Sequence, residues 1–394
     1  MSAQSERKPL RILYFGPRGL SGGIGGSARL RNMLDVLSKL GAQTHLITYL
    51  PAARFGISHE QINQQLKVTA VSVNRAIPKV LKFLALKLIF YYGLRYAGRS
   101  DVIFAHSPGV VYGFPALVMA KLFGRPLFID LTDTRDYDTP GFLYRYILNR
   151  ADLVFAVSRY LVEAAEKTGS RKVVHAPGFI NTEMFRFDVA ARERIRKELK
   201  ISEQDIVIGY AGAISPDEGL TCVIEALEKL SPRHPNLKLV MLGGRHPPGS
   251  DDIPRLVSEK GLQEKVVLVP PQPYESVPGY LSAFDIGVSP KIDKELNRAA
   301  DPIRVYEYMA VGLPVIASRV GETANAIEDG VDGFLFKPQD FEDLARVLEK
   351  VIQNLGSLRE LREKAREKVK EHYSQEATLT RLKAHLPELI SKDR

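Results

Sequence analysis

Short apolar runs recur along this chain, each followed by a loop and a helical pattern. That alternation admits few folds other than parallel sheets covered by helices. Residues 10–16 read as a strand, 19–26 as a glycine-rich loop, 27–40 as a helix stopped at Gly41, and 44–49 as the next strand. Apolar runs at 101–108, 125–130 and 151–158 continue the series, and Ser158 is placed to cap a helix over 159–168. The order then restarts. A strand at 205–211, a loop at 212–219, a helix over 220–230 and a strand at 237–242 repeat the motif. Strands at 266–269 and 284–289, with a short helix at 275–282 between them, extend it, and a last helix covers 375–390. Two wound α/β domains are expected, each binding ligands in the loops at the carboxyl ends of its strands.

Charge separates the two halves. The net charge of +9 hides a first part, residues 1–200, with 30 Lys and Arg against 15 Asp and Glu, and a remainder with 25 against 31. A basic first half implies an anionic partner on that side. The strongest basic segment is 61–100, which has seven cations and no acid, interleaved with Phe83, Leu84, Leu86, Leu88, Ile89, Phe90, Tyr91 and Tyr92. Arg75, Lys79 and Lys82 share a helical face while Lys87 leaves it. The segment reads as a helix at an anionic membrane surface or as an ordinary domain helix with solvated lysines. The charged run 192–200 reads as a solvated helix near the junction of the halves. No apolar run reaches the roughly 20 residues that span a bilayer. Residues 1–9 lack the apolar core of a signal peptide, and the single Cys222 fits a reducing compartment. A cytoplasmic protein, peripheral at the inner face of the cell membrane if 61–100 binds lipid, is the expectation. No nucleic-acid module is recognisable, so nucleic acid is not expected as a partner.

The segment 301–318 carries the most chemical information. Asp301 suits an N-cap, Pro302 the first helical position and Gly312 the stop, before an apolar strand from Val315. Arg304 falls in the first turn, where the helix dipole disfavours a cation, and Glu307 lies one turn on along the same face. An anion bound at the helix start would remove that conflict, with Arg304 and free amides holding it and Glu307 accepting from a sugar diol. A plain i,i+3 surface pair is the alternative. The loop Gly22-Gly23-Ile24-Gly25 would let a phosphate approach the backbone, although a tight turn also needs glycine. It lacks the G-x-G-x-x-G spacing, and the second strand ends without an acid for a ribose, which argues against a nicotinamide enzyme. His106 ends a strand, as a structural hydrogen-bonder or as a cleft group. The acids of 130–138 would receive acceptor hydroxyls, cap a helix or hold a metal, and no paired spacing compels the last. No nucleophilic triad or zinc-ligand spacing competes.

Glu307-Tyr308-Met309-Ala310-Val311-Gly312-Leu313-Pro314-Val315-Ile316-Ala317 resembles the donor-binding segment of the retaining GT-B glycosyltransferases called family 4, or glycosyl transferases group 1. The resemblance extends over nearly the whole chain. It implies a GT-B fold: two Rossmann-like, doubly wound domains facing a central cleft, with a C-terminal helix crossing back to the N-terminal domain. Residues 1–185 would form the acceptor-side domain, 186–372 the nucleotide-sugar donor domain, and 373–394 the returning helix. The implied reaction moves a sugar from a nucleotide-diphosphate co-substrate to a polysaccharide or lipid-linked acceptor with retention, using no metal and no other cofactor. His106, Arg304 and Glu307 would act at the reaction centre. Gly22, Gly23, Gly25, Gly212, Arg245, Lys291, Asp301, Tyr306 and Glu307 would hold the donor. Several family positions differ. Ala213 and Glu218 stand where an Arg and a Lys usually hold the diphosphate, Ala299 replaces the first glutamate, and the histidine ending the 130–138 stretch is missing. Arg304, Arg245, Lys291, Lys294 and Arg298 are the candidate replacement cations, with Lys294 and Arg298 the ones that also read as solvated surface charges. These departures also allow a catalytically silent relative that binds or regulates another transferase.

Overall fold

The computed structural model describes residues 8–17, 25–52, 55–74, 79–132, 141–244 and 252–390. Two compact units divide the chain, one taking most residues up to Pro177 together with those from Thr378, the other running from Gly178 to Ala377. Among the described residues no helix is long and apolar enough to cross a membrane.

The first unit follows the order β1 (Arg11–Phe15), α1 (Gly25–Lys39), β2 (Gln43–Ala52), β3 (Gly56–Gln61), β4 (Leu66–Asn74), α2 (Lys79–Ala97), β5 (Val102–His106), α3 (Gly113–Phe123), β6 (Leu127–Leu131), α4 (Gly141–Arg150), β7 (Leu153–Ala156), α5 (Arg159–Lys167) and β8 (Val173–His175). Its eight strands lie in the order β3-β4-β2-β1-β5-β6-β7-β8. All neighbours run parallel except β3 and β4. From β1 the sheet grows toward β2 on one side and toward β5 on the other. Right-handed crossovers therefore put α1 on one face and α2 to α5 on the opposite face. The switch in direction falls between β1 and β5, where such sheets open a ligand crevice. Residues 61–100 are not one basic helix, as the charge pattern suggested. They hold the end of β3, all of β4 and then α2. Ser158 caps α5 as expected, its hydroxyl accepting from the Leu161 amide at 3.3 Å.

The second unit begins with α6 (Val189–Glu198), β9 (Ile206–Ala211), α7 (Leu220–Leu230), β10 (Leu237–Leu242), α8 (Ile253–Glu259), β11 (Val266–Val269), α9 (Val277–Ser282) and β12 (Ile286–Ser289). It continues with α10 (Glu295–Ala299), α11 (Ile303–Val311), β13 (Val315–Ser318), α12 (Gly321–Ala326), β14 (Phe334–Phe336), α13 (Phe341–Asn354) and α14 (Arg359–His372). The chain ends in α15 (Gln375–Ile390). Six parallel strands lie in the order β11-β10-β9-β12-β13-β14, so the switch falls between β9 and β12. Side chains alternate between two apolar layers. Ile208, Tyr210, Leu239 and Met241 enter one with α7 and α13, while Val207, Ala211, Val240 and Leu242 enter the other with α11. Burial on both faces is why these strands read as unbroken apolar runs. The charged run of α6 is not solvated throughout. Arg196 is fully buried, and Arg192 and Arg196 both pair with Asp285, at 2.8 and 3.4 Å.

Candidate functional site

α11 starts at the carboxyl end of the second sheet. Pro302, with φ −86° and ψ 54°, is its N-cap and offers no side-chain hydrogen bond. Asp301 is therefore not the cap expected from sequence. Its Oδ1 accepts instead from the Tyr306 hydroxyl at 3.2 Å, so a buried phenol draws the carboxylate away from the helix start. Tyr306 itself is not open to a ligand in the way a donor contact requires. It is fully buried, with its ring stacked on Tyr373 at 4.0 Å. At the far end Gly312 adopts φ 86°, and its amide closes the helix on the Tyr308 and Met309 carbonyls.

Arg304 has the partner that sequence could not supply. Its Nη1 lies 2.8 Å from Glu218 Oε2, its Nε donates to the Ala211 carbonyl, and its guanidinium stands 4.3 Å from the centre of the Tyr210 ring. Glu218 belongs to the loop after β9, 86 residues earlier in the chain. Burial works against both charges. The Glu218 carboxyl nonetheless stays below its ordinary range because Arg304 and Lys291 face it. Burial likewise opposes the Arg304 charge, and Glu218 more than restores it. Gly212 completes the arrangement. It sits at φ 154°, and a Cβ there would overlap the Arg304 guanidinium, so only glycine lets the loop lie against the arginine.

Glu307 is the unusual group. It is buried among the apolar residues of α11 and accepts a hydrogen bond from the Tyr274 hydroxyl at 3.2 Å. Burial pushes its pKa up to about 7, against the smaller opposing pulls of Tyr274 and Arg304. A carboxylate so placed is ionised more readily once additional donors reach it. Among the other expected cations, Lys291 lies close enough to Glu218 to depress its pKa, and the Ser318 hydroxyl donates to the Lys291 carbonyl at 2.7 Å. Lys294 pairs with Asp217, and Arg298 with Asp293 at 2.6 Å, so both are engaged in surface pairs. Gly22, Gly23 and Arg245 lie outside the described residues. Among the described residues, no three His, Cys, Asp or Glu gather closely enough to hold a metal ion.

Gly25 opens α1, and His106 ends β5 in the first unit. Ser107 follows at φ 69°, a sharp departure that few non-glycine residues adopt. His106 Nδ1 stands 3.6 Å from Asp130 Oδ2, and its Nε2 is 3.3 Å from the Thr132 hydroxyl. Asp130 does not await a substrate hydroxyl. It is completely buried and accepts from Arg29, Nη2 to Oδ1 at 2.6 Å and Nε to both oxygens at 3.1 Å. Burial alone would raise its pKa, but Arg29 and His106 hold it well below the usual carboxylate range. Sequence offered one signal for this pair: an aspartate inside the apolar strand run Leu127-Phe128-Ile129-Asp130-Leu131 must find a buried partner. The acids from 133 to 138 lie outside the described residues.

Known proteins agree with this architecture. Residues 24–177 match the glycosyl transferase 4-like domain family, and residues 191–372 match glycosyl transferases group 1. A D-inositol 3-phosphate glycosyltransferase of Corynebacterium jeikeium is 29% identical over 56% of this chain and 54% of its own length. The chain spans about half the length of the first curated relatives it matches. A 2-deoxystreptamine glucosyltransferase of Streptomyces kanamyceticus is 23% identical over 93% of this chain and 99% of its own. Among solved structures, sucrose-phosphate synthase from Thermosynechococcus elongatus superposes with a TM-score of 0.79 at 18% identity, covering 97% of this chain and 99% of that one.

Proposed function

Because the chain belongs to the glycosyl transferases group 1, with the GT-B fold, we propose that it moves a sugar from a nucleotide-diphosphate donor to a saccharide or lipid-linked acceptor. The observation that carries this reading is the start of α11, where Arg304 faces the Gly212 loop and Glu307 is a buried carboxylate with a raised pKa. In this reading the donor diphosphate takes the guanidinium edge of Arg304, with Lys291 beside it. Glu307 ionises as it accepts the two ribose hydroxyls. The acceptor oxygen bonds to the anomeric carbon on the face from which the diphosphate departs, and its proton passes to the leaving phosphate oxygen. The configuration is then retained, and cations with helix-end amides neutralise the leaving group without a metal. His106 is the acceptor-side group of the first unit. The reaction takes place at the cytoplasmic face of the cell membrane.

Thermal-shift measurements across UDP, GDP and ADP sugars test the donor reading. A rise in melting temperature with one nucleotide is the expected result, followed by turnover that survives a chelator and a product with the donor's anomeric configuration. No shift with any donor would remove the proposal and favour a silent relative.

A further inference from the structure

α2 buries one stripe, Ala85, Ile89, Gly93 and Ala97, and its opposite side mixes large apolar residues with cations. Leu84, Lys87, Tyr91, Leu94 and Arg95 are exposed and fall at spacings that gather them on one side of the helix. Leucine and tyrosine set among lysine and arginine, with no acid, is the outer face expected of a helix lying at an anionic interface. α3 packs beside α2, and α4 beside α3, so the three form one layer on the same face of the sheet. The pattern continues along that layer. Leu122 at the end of α3 is 63% exposed and Phe142 at the start of α4 is 70% exposed. Tyr146 lies between Lys121 and Arg150, whose charges stand 5.3 and 5.2 Å from its ring centre. No Asp or Glu occurs in α2, α3 or α4, while Lys87, Arg95, Lys121, Arg145 and Arg150 are exposed.

We propose that this three-helix face docks on an anionic lipid bilayer. Leucine and phenylalanine side chains gain by entering the acyl boundary, tyrosines sit at head-group depth, and lysine and arginine meet lipid phosphates. A nucleic acid would satisfy the cations but give Leu94, Leu122 and Phe142 nothing to enter. An acidic protein partner would need matching apolar sockets as well as charge. The inference rests on this surface alone, so it stands or falls independently of the donor chemistry at α11.

The test uses the full chain with vesicles of phosphatidylcholine alone or mixed with phosphatidylglycerol, separated by flotation. Binding to the mixed vesicles, reduced by added salt and nearly absent on neutral ones, is the expected result. The double variant Tyr91→Glu/Leu94→Glu and the single variant Phe142→Glu should each lower the bound fraction roughly tenfold. Phe187→Glu, an exposed aromatic position of the second unit, should leave it unchanged. All these side chains are exposed, and unchanged melting temperatures would show that the fold is intact. Failure to float with anionic vesicles would overturn the proposal, as would flotation that ignores the α2 and α4 variants. Salt-sensitive retention on DNA or RNA without flotation would also overturn it, assigning the face to nucleic acid.

Discussion

Arg29 with Asp130 in the first unit, and Arg304 with Glu218 in the second, are both arginine–carboxylate pairs beside the direction switch of a parallel sheet. Their surroundings differ. The first pair is 5% and 0% exposed and is joined by three hydrogen bonds, with His106 3.6 Å from the same carboxylate, so both charges are satisfied inside the protein. The second is 13% and 14% exposed and is joined by one contact of 2.8 Å beside a glycine loop. Equivalent chemistry at equivalent positions thus has different uses. A sealed pair fastens α1 to β6, while in the proposed function the pair with an open edge exchanges its carboxylate for the donor's phosphate.

That contrast can be broken most forcefully at Asp130. Asp130→Asn leaves Arg29 buried without its counter-charge and should destabilise the protein by about 3–5 kcal/mol in denaturant unfolding. A loss under about 1 kcal/mol would mean the pair is not sealed at all. The next effect concerns Glu307, whose raised pKa makes the folded state hold a proton that the unfolded chain has released. Stability from this group is therefore full below about pH 4.5, falls as pH rises, and is gone above about 7. Glu307→Gln should match the wild type near pH 5 and exceed its stability by about 3 kcal/mol near pH 8. Equal unfolding curves at pH 8 would place the carboxylate in water. A smaller and two-sided change is expected for Glu218→Gln, with a stability loss of about 1–2 kcal/mol. Nucleotide-sugar affinity should rise several-fold, because no carboxylate competes for Arg304. If affinity fell together with stability, Glu218 would be a fixed support like Asp130. Arg255→Ala, which removes surface contacts to Asp252 and Glu259, should leave the unfolding midpoint where it was.

The fold was more legible in the sequence than the site. α7 and β10 fall on the expected residues because Gly219, at φ 69°, starts the helix and strict apolar runs bound the strand. The hairpin of β3 and β4 was missed because His59, Glu60, Gln61, Lys67 and Thr69 dilute the apolar alternation that marks a strand. Local rules also misplaced Asp301, since capping preference yields where a buried tyrosine competes for the same carboxylate. Arg304 and Glu218 each stood out as anomalies, one a cation in a first helical turn and the other an acid in a phosphate loop. Their mutual answer, 86 residues apart, became visible only when β9 and α11 were folded together. Arg29 carried no local signal, because arginine in a basic half reads as solvent-facing until a buried aspartate requires it.

The start of α11 is the centre of this account, and calorimetric titration of the protein with its donor sugar nucleotide tests it most directly. Arg304→Met and Glu307→Gln should each weaken binding at least about tenfold, while the folded fraction of Asp130→Asn binds as the wild type does. Undiminished affinity in both α11 variants would contradict the assignment of the donor to this helix.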